Sequence, residues 1–189
     1  MSNCGYSAGR ALQERLEHKL RVSASRGLAL LLLAAFAVDL CVSLLGLALQ
    51  FLGIYLNAAT VVLGLYGTIG AGVYAIMCLP AGRASDRFSR RVAAIFITLA
   101  GIVWLILGLQ RSPYTILLLI PFSSGSIAFF WPAVQAWLGD LASDRQHLTR
   151  ILGTFNVLWT AGLMIGPVVA GYLWQMHHFA PFFWATVIA

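Results

Sequence analysis

The chain has 189 residues, of which 60% are hydrophobic and only 10% are charged, and its mean hydropathy is +0.87. A soluble domain carries roughly 25% charged residues, and a short one has too much surface for its volume to hide so much apolar area. The composition excludes a soluble enzyme, a free nucleic-acid-binding domain and an intrinsically disordered chain. It predicts an all-α membrane protein with several spanning helices.

Residues 1–27 are polar and basic, and no short apolar stretch with a small-residue cleavage site follows them, so no signal peptide is predicted. Leu12, Leu16 and Leu20 are spaced by four, which fits a short amphipathic helix on an anionic membrane surface. A partly disordered cytoplasmic tail is the alternative. We treat residues 1–27 as a cytoplasmic N-terminal tail.

Five long apolar runs follow, each near the ~20 residues that a spanning helix needs. They cover residues 28–52, 61–81, 92–109, 114–138 and 151–174. A sixth run begins at Pro181 and reaches the end of the sequence after about 14 Å of helix, under half of the bilayer core. We therefore expect residues 28–189 to form one unit of five full helices and a truncated sixth. The chain would be a fragment or, alternatively, a natural half-sized protein.

The basic residues predict the orientation. All but one of the twelve Lys and Arg fall in the N-terminal tail or in the connections after the second and fourth runs, and only Arg111 lies on the other side. Because basic loops stay in the cytoplasm, the N-terminus is predicted to be cytoplasmic, in the inner or plasma membrane. The same asymmetry explains the net charge of +6 without a nucleic-acid partner.

The connection at residues 82–91 reads Gly-Arg-Ala-Ser-Asp-Arg-Phe-Ser-Arg-Arg. It resembles the cytoplasmic signature of the major facilitator superfamily, G-x-L-[AGS]-D-[RK]-[FY]-G-R-[RK], and departs from it at Ala84 and Ser89. The matching positions are Gly82, Asp86, Arg87, Phe88, Arg90 and Arg91. The resemblance implies a cytoplasmic gating loop.

The fifth apolar run carries a second signature. It resembles the antiporter motif of the same superfamily, G-x8-G-x3-G-P-x2-G-G, and departs from it only at Ala170. The matching positions are Gly153, Gly162, Gly166, Pro167 and Gly171. Small residues at a spacing of four also let another helix approach closely, so ordinary membrane-helix packing with a Gly-Pro bend is the alternative explanation.

The two resemblances cover residues 28–189 and identify the chain as the N-terminal half of a major facilitator transporter whose C-terminal six-helix half is missing. They imply twelve helices in two halves, a substrate cavity between the halves and alternating access by rocking of one half against the other. The Asp86 loop would lock the cytoplasmic side while the cavity faces outward. The antiporter-like motif implies proton-coupled export.

Asp39 is the one acid well inside a predicted span, about 16 Å along the first helix. An ionised carboxylate at that depth costs at least ~2.5–3.5 kcal/mol, so such residues usually face a cavity or a partner. At ~100° per residue, Asp39, Ser43, Gly46 and Gln50 share one face. This polar stripe predicts a proton-coupling or substrate-contacting site, with a structural acid as the alternative.

Helices four and five add polar residues that would face the same cavity. Trp131 and Gln135 share a face of the fourth run, and Asn156 and Thr160 share a face of the fifth. A buried amide needs a partner, and Trp131 could stack on an aromatic or cationic substrate. Hydrogen bonds between packed helices are the alternative.

The sequence shows no nucleophile–base pair, phosphate loop or H-E-x-x-H pattern, so we predict neither an enzyme nor a cofactor or metal site. The three cysteines have no paired spacing, and His177 and His178 are interpreted as solvated. The predicted function is proton-coupled efflux of a small organic solute across the lipid bilayer. The alternatives are a symporter or facilitator that imports sugars or metabolites, and a non-transporting scaffold or sensor.

Overall fold

The computed structural model describes the backbone of residues 4–88 and 91–189 and the side chains of residues 26–85 and 93–189. These residues form an all-helical bundle, as the composition predicts. The helices are α1 Cys4–Tyr55, α2 Thr60–Phe88, α3 Arg91–Gly108, α4 Pro113–Leu141, α5 Arg145–Met176 and α6 Ala180–Ile188.

Four of the helices contain stretches long and apolar enough to cross a membrane: Arg26–Tyr55, Thr60–Ser85, Pro113–Leu141 and Arg145–Met176. The apolar part of α3, Ala93–Gly108, is shorter. At ~1.5 Å per residue the 18 residues of α3 extend about 27 Å, close to the ~30 Å hydrocarbon core. The predicted spans therefore correspond to α1–α5, and α6 to the short sixth run.

Helix α1 is much longer than the first apolar run. It begins at Cys4 and continues to Tyr55, so the backbone of the basic tail and that of the first span form one helix. The helix predicted around Leu12, Leu16 and Leu20 is present in the backbone, but it is continuous with the first span instead of short, and the disordered alternative is wrong for residues 4–27. The physical reason is the lack of a breaker, because residues 4–55 contain no proline. The side chains of residues 1–25 lie outside the described part.

Two of the predicted connections are shorter in the structure than in the sequence-based prediction. Helix α2 continues to Phe88, so Gly82, Asp86 and Arg87 belong to a helix end and not to a loop. Similarly, α5 begins at Arg145, because the Asp144 carboxylate accepts a hydrogen bond from the backbone N–H of His147 at 2.8 Å and caps the helix.

Hydrogen bonds link the helices on one side of the bundle. The Tyr66 hydroxyl of α2 donates to the carbonyl of Pro113 at the start of α4 over 2.9 Å. The Trp104 indole N–H of α3 donates to the Ser123 hydroxyl of α4 over 2.8 Å. The Thr186 hydroxyl holds α6 against α3 through the Gly101 carbonyl. These contacts join α2, α3, α4 and α6.

Helices α1 and α5 also form a close pair, because two glycines of α5 let the two backbones approach each other. A Cβ atom on Gly162 would lie 2.8 Å from the Phe36 carbonyl oxygen, and one on Gly166 would lie 2.7 Å from the Leu40 carbonyl oxygen. Only hydrogen fits at these positions, so the backbones touch. Ala170, four residues after Gly166 on the same face of α5, is fully buried. This is the close approach that the spacing of small residues in α5 predicts.

Candidate functional site: a cavity with one buried acid

A cavity of about 420 Å³ lies between the α1–α5 pair and the α2–α4 pair. Its volume is in the range of small-molecule sites, ~300–1,000 Å³. Its walls are Asp39, Val42, Leu45, Gly46 and Leu49 of α1, Tyr66, Gly67, Gly70, Ala71 and Tyr74 of α2, Trp104 of α3, Ile120, Ser123, Ser124, Ile127 and Trp131 of α4, and Trp159 of α5. The lining is mostly apolar and aromatic.

Asp39 is the acid of this cavity. It is only 5% exposed, and its Oδ2 atom has no hydrogen-bond partner among the described residues. The Trp159 side chain is its hydrogen-bonding neighbour. Burying a polar atom without a partner costs free energy, so this oxygen is placed to hold a proton or to meet a cationic ligand.

The α1–α5 contact positions Asp39. A Cβ atom on Gly162 would lie 3.4 Å from the Cβ atom of Asp39, directly beside the backbone contacts described above. The antiporter-like sequence therefore packs against the turn of α1 that carries the acid. A larger residue at Gly162 would push that turn away from α5.

Aromatic side chains form most of the remaining surface. The polar atoms of Tyr66 and Trp104 are engaged by Pro113 and Ser123, so these two side chains leave mainly their rings to a ligand. Trp131 is held edge-to-face against Phe155, with ring centroids 6.0 Å apart. Such rings attract cations through their faces.

A smaller cavity of about 160 Å³ adjoins the first. It is lined by Tyr74, Trp131, Gln135, Phe155, Asn156 and Trp159. Three of these residues, Tyr74, Trp131 and Trp159, also line the main cavity. The two spaces therefore share one aromatic wall.

The structure divides the predicted site residues among three places. Asp39 and Trp131 line the main cavity, and Gln135 and Asn156 line the smaller one. Gln135, Asn156 and Thr160 are all exposed, so the expectation that the two amides are buried is wrong, and Thr160 lines neither cavity.

Ser43 and Gln50 lie in helix contacts. The Ser43 hydroxyl donates to the Gly162 carbonyl of α5 at 3.1 Å, and the Gln50 amide donates to the Leu63 carbonyl of α2 at 3.4 Å. The polar stripe of α1 thus serves two purposes, because a hydroxyl or amide in a spanning helix can equally bind a neighbouring backbone.

Four aromatic site residues do not stand out in the sequence: Tyr66, Tyr74, Trp104 and Trp159. Within apolar runs, such residues have the pattern of ordinary core. Only Trp159 carries a signal, since it lies three residues from both Asn156 and Gly162 and so close to their side of α5. That spacing could have placed it beside the acid.

Two further groups of predicted residues are the cytoplasmic signature and the histidine pair. The side chains of Asp86, Arg87, Arg90 and Arg91 lie outside the described residues. His178 is exposed, but its ring packs on Tyr55 and Trp174, with centroids 4.3 and 4.8 Å away. It is therefore more constrained than a freely solvated histidine.

Comparison with known proteins gives a family match and several relatives. The sequence matches the profile of the Major Facilitator Superfamily over residues 31–189. It is 26% identical over 110 residues to Multidrug resistance protein 1 of Bacillus subtilis (58% of this chain, 28% of the relative). It is 29% identical over 146 residues to the Cis,cis-muconate transport protein of Acinetobacter baylyi (77% of this chain, 35% of the relative). It is also 29% identical over 110 residues to Multidrug resistance protein 2 of B. subtilis (58% and 27%). The chain spans about a third of the length of these relatives.

Proposed function

This chain belongs to the major facilitator superfamily, a family of membrane transporters, and on that basis we propose that it contributes to proton-coupled efflux of a small organic solute by alternating access. The proposal requires a second six-helix half to complete the cavity. Support comes from one feature above all. The carboxylate of Asp39 is buried beside a ligand-sized cavity and keeps one oxygen without a protein partner.

In the proposed cycle, Asp39 carries the proton. The neutral carboxylic acid suits the apolar surroundings, whereas the ionised form needs a compensating partner in a low dielectric. A solute that enters the cavity would take the place of the proton on Asp39, and the proton would leave toward the open side. Because each ligand favours the state that it binds better, exchange of the two would drive the change of access.

The test replaces Asp39 with Asn in the full-length protein reconstituted in proteoliposomes. Asp39→Asn keeps the shape and removes the titratable proton, so solute-driven proton flux should vanish. Asp144→Asn is the matched control, because it makes the same chemical change at an exposed helix cap and Asn is an equally good cap. Undiminished proton flux in Asp39→Asn would show that this acid is structural.

The direction of flux in the same vesicles separates efflux from its alternatives. An exporter moves the solute out as protons move in, whereas a symporter moves both the same way. A scaffold or sensor would move neither, and Asp39→Asn would then leave both measurements at background.

The N-terminus and the connection between α4 and α5 are proposed to be cytoplasmic, in the plasma membrane, from the distribution of basic residues. Single cysteines at Ser112 and Ser143 in a cysteine-free background test this orientation. An impermeant thiol reagent should label Ser112→Cys but not Ser143→Cys in intact cells. The reverse pattern would invert the topology.

The sequence around Asp86 is proposed to act as a cytoplasmic latch, because it resembles the superfamily signature. There the acid would meet the positive end of a helix in the other half while the cytoplasmic side is closed. Asp86→Asn should shift spin-label distances across that side toward the open state with little change in melting temperature. Identical distance distributions would remove the latch role.

A further inference from the structure

The binding site has two compartments of different chemistry, separated by the aromatic wall of Tyr74, Trp131 and Trp159. We infer that they bind the two ends of one elongated solute: an aromatic cationic group in the main cavity and an uncharged hydrogen-bonding group in the smaller cavity. The inference rests on the proposed transport function and goes beyond it by naming the solute's chemistry.

The main cavity is suited to a cation. Among the side chains described as lining either cavity, Asp39 is the only Asp, Glu, Lys, Arg or His. An anionic solute would therefore meet a like charge and no compensating base within this half. A cation would instead pair with the unpartnered Oδ2 of Asp39 and contact the faces of Trp131 and Trp159.

The smaller cavity is suited to a neutral polar group. Gln135 of α4 and Asn156 of α5 both line it, both are exposed in this six-helix unit, and no hydrogen bond to another described residue engages either amide. Each amide offers two N–H donors and one carbonyl acceptor. Two such groups can recognise an amide or hydroxyl that both donates and accepts, and no charged side chain among the described lining residues favours an ion there.

The geometry of α5 sets the distance between the two groups of the solute. Gly162 lies beside Asp39, and Asn156 precedes Gly162 by six residues. At ~1.5 Å per residue this separation is about 9 Å along the helix axis. Trp159 lies midway and would contact the linker between the two ends.

The test uses two matched probes and the full-length protein. Both probes are aryl trimethylammonium ions with an arm of about 9 Å, which ends in a primary amide in one probe and in an isosteric branched alkyl group in the other. Wild type should bind the amide-ended probe more tightly. Gln135→Leu and Asn156→Leu should each weaken that probe by about three- to tenfold, the worth of one neutral hydrogen bond. They should leave the alkyl-ended probe unchanged or slightly tighter.

Thr160→Val is the control, because Thr160 is on the same helix but lines neither cavity. Affinities are measured by calorimetry, with cis,cis-muconate as an anionic third probe. Equal losses for both cations in the Leu variants would overturn the bipartite site, as would tighter binding of muconate than of either cation. Solute-driven proton flux in wild-type vesicles reports on the proposed transport function separately, so either idea can fail alone.

Discussion

Two neighbouring strips of α1 have opposite environments, although both carry polar residues. The cavity strip, which runs from Asp39 through Gly46, borders open space. The α5 strip, which includes Leu40, Ser43 and Leu44, lies in backbone contact with Gly162 and Gly166. At ~100° per residue, Gly46 lies about 20° to one side of Asp39 and Ser43 about 40° to the other.

A rotation of about 60° therefore separates a cavity-lining surface from a packing surface. Asp39 lies at the border of the two, which explains how it faces the cavity and still has Trp159 of α5 as a neighbour. The comparison teaches that polarity alone does not mark the functional face of a spanning helix. The approach of another helix decides which polar groups remain available.

The largest effect is expected at the α5 strip. In Gly166→Ala the added Cβ would overlap the Ser43 hydroxyl and lie 2.7 Å from the Leu40 carbonyl oxygen. The two helices must move apart, which costs about 1–3 kcal/mol in an overpacked core. We expect a clearly lower melting temperature in detergent. Gly171→Ala is the control, because its Cβ meets no atom within 4 Å, and equal melting of the two variants would contradict the contact.

At the cavity strip we expect the converse, a loss of ligand affinity with little loss of stability. A Cβ on Gly46 meets no atom within 4 Å, so Gly46→Leu should fold with a stability change of about 1 kcal/mol or less. The new side chain would occupy the main cavity and lower the affinity for the aryl cation roughly tenfold or more, by the ~1–3 kcal/mol cost of overpacking. Calorimetry on the purified protein measures this. Unchanged affinity would show that the cavity strip does not face the ligand.

The smallest effect is expected at Asp144. Both of its carboxylate oxygens accept hydrogen bonds, whereas Oδ2 of Asp39 accepts none from the described residues. Hydrogen bonds from the backbone N–H of His147 and from the Ser143 hydroxyl hold the pKa of Asp144 below its ordinary value. A lowered pKa in the folded state stabilises the protein above the unfolded value of ~3.9, and this contribution disappears as pH falls through the folded pKa.

Asp144→Ala should therefore reduce amide protection in the first turn of α5 near neutral pH, and the difference from wild type should shrink below about pH 4. Hydrogen exchange of the amides after Asp144 measures it. Asp144→Asn retains an acceptor and should show little of this pH dependence. A difference that stays constant down to acid pH would mean that the carboxylate charge plays no part in the cap.

The sequence predicted much of the architecture because the relevant signals are local. Apolar runs located the middle of each spanning helix, and the spacing of Gly162, Gly166 and Ala170 predicted a close helix contact. Helix ends were harder. The basic character of residues 82–91 suggested a loop, yet the backbone of α2 remains helical past Pro80 as far as Phe88.

By itself, then, the sequence determined the membrane class, the family resemblance and the presence of one acid deep in a span, since hydropathy, motif spacing and charge need no knowledge of neighbours. Only the tertiary structure decided that Ser43 packs against α5, that Gln50 binds the α2 backbone and that Tyr74, Trp104 and Trp159 join the cavity. The physical reason is that the rotation of a helix about its axis is fixed by where other backbones can approach it. In α1 that approach is set by Gly162 and Gly166, 119 or more residues farther along the chain than Ser43.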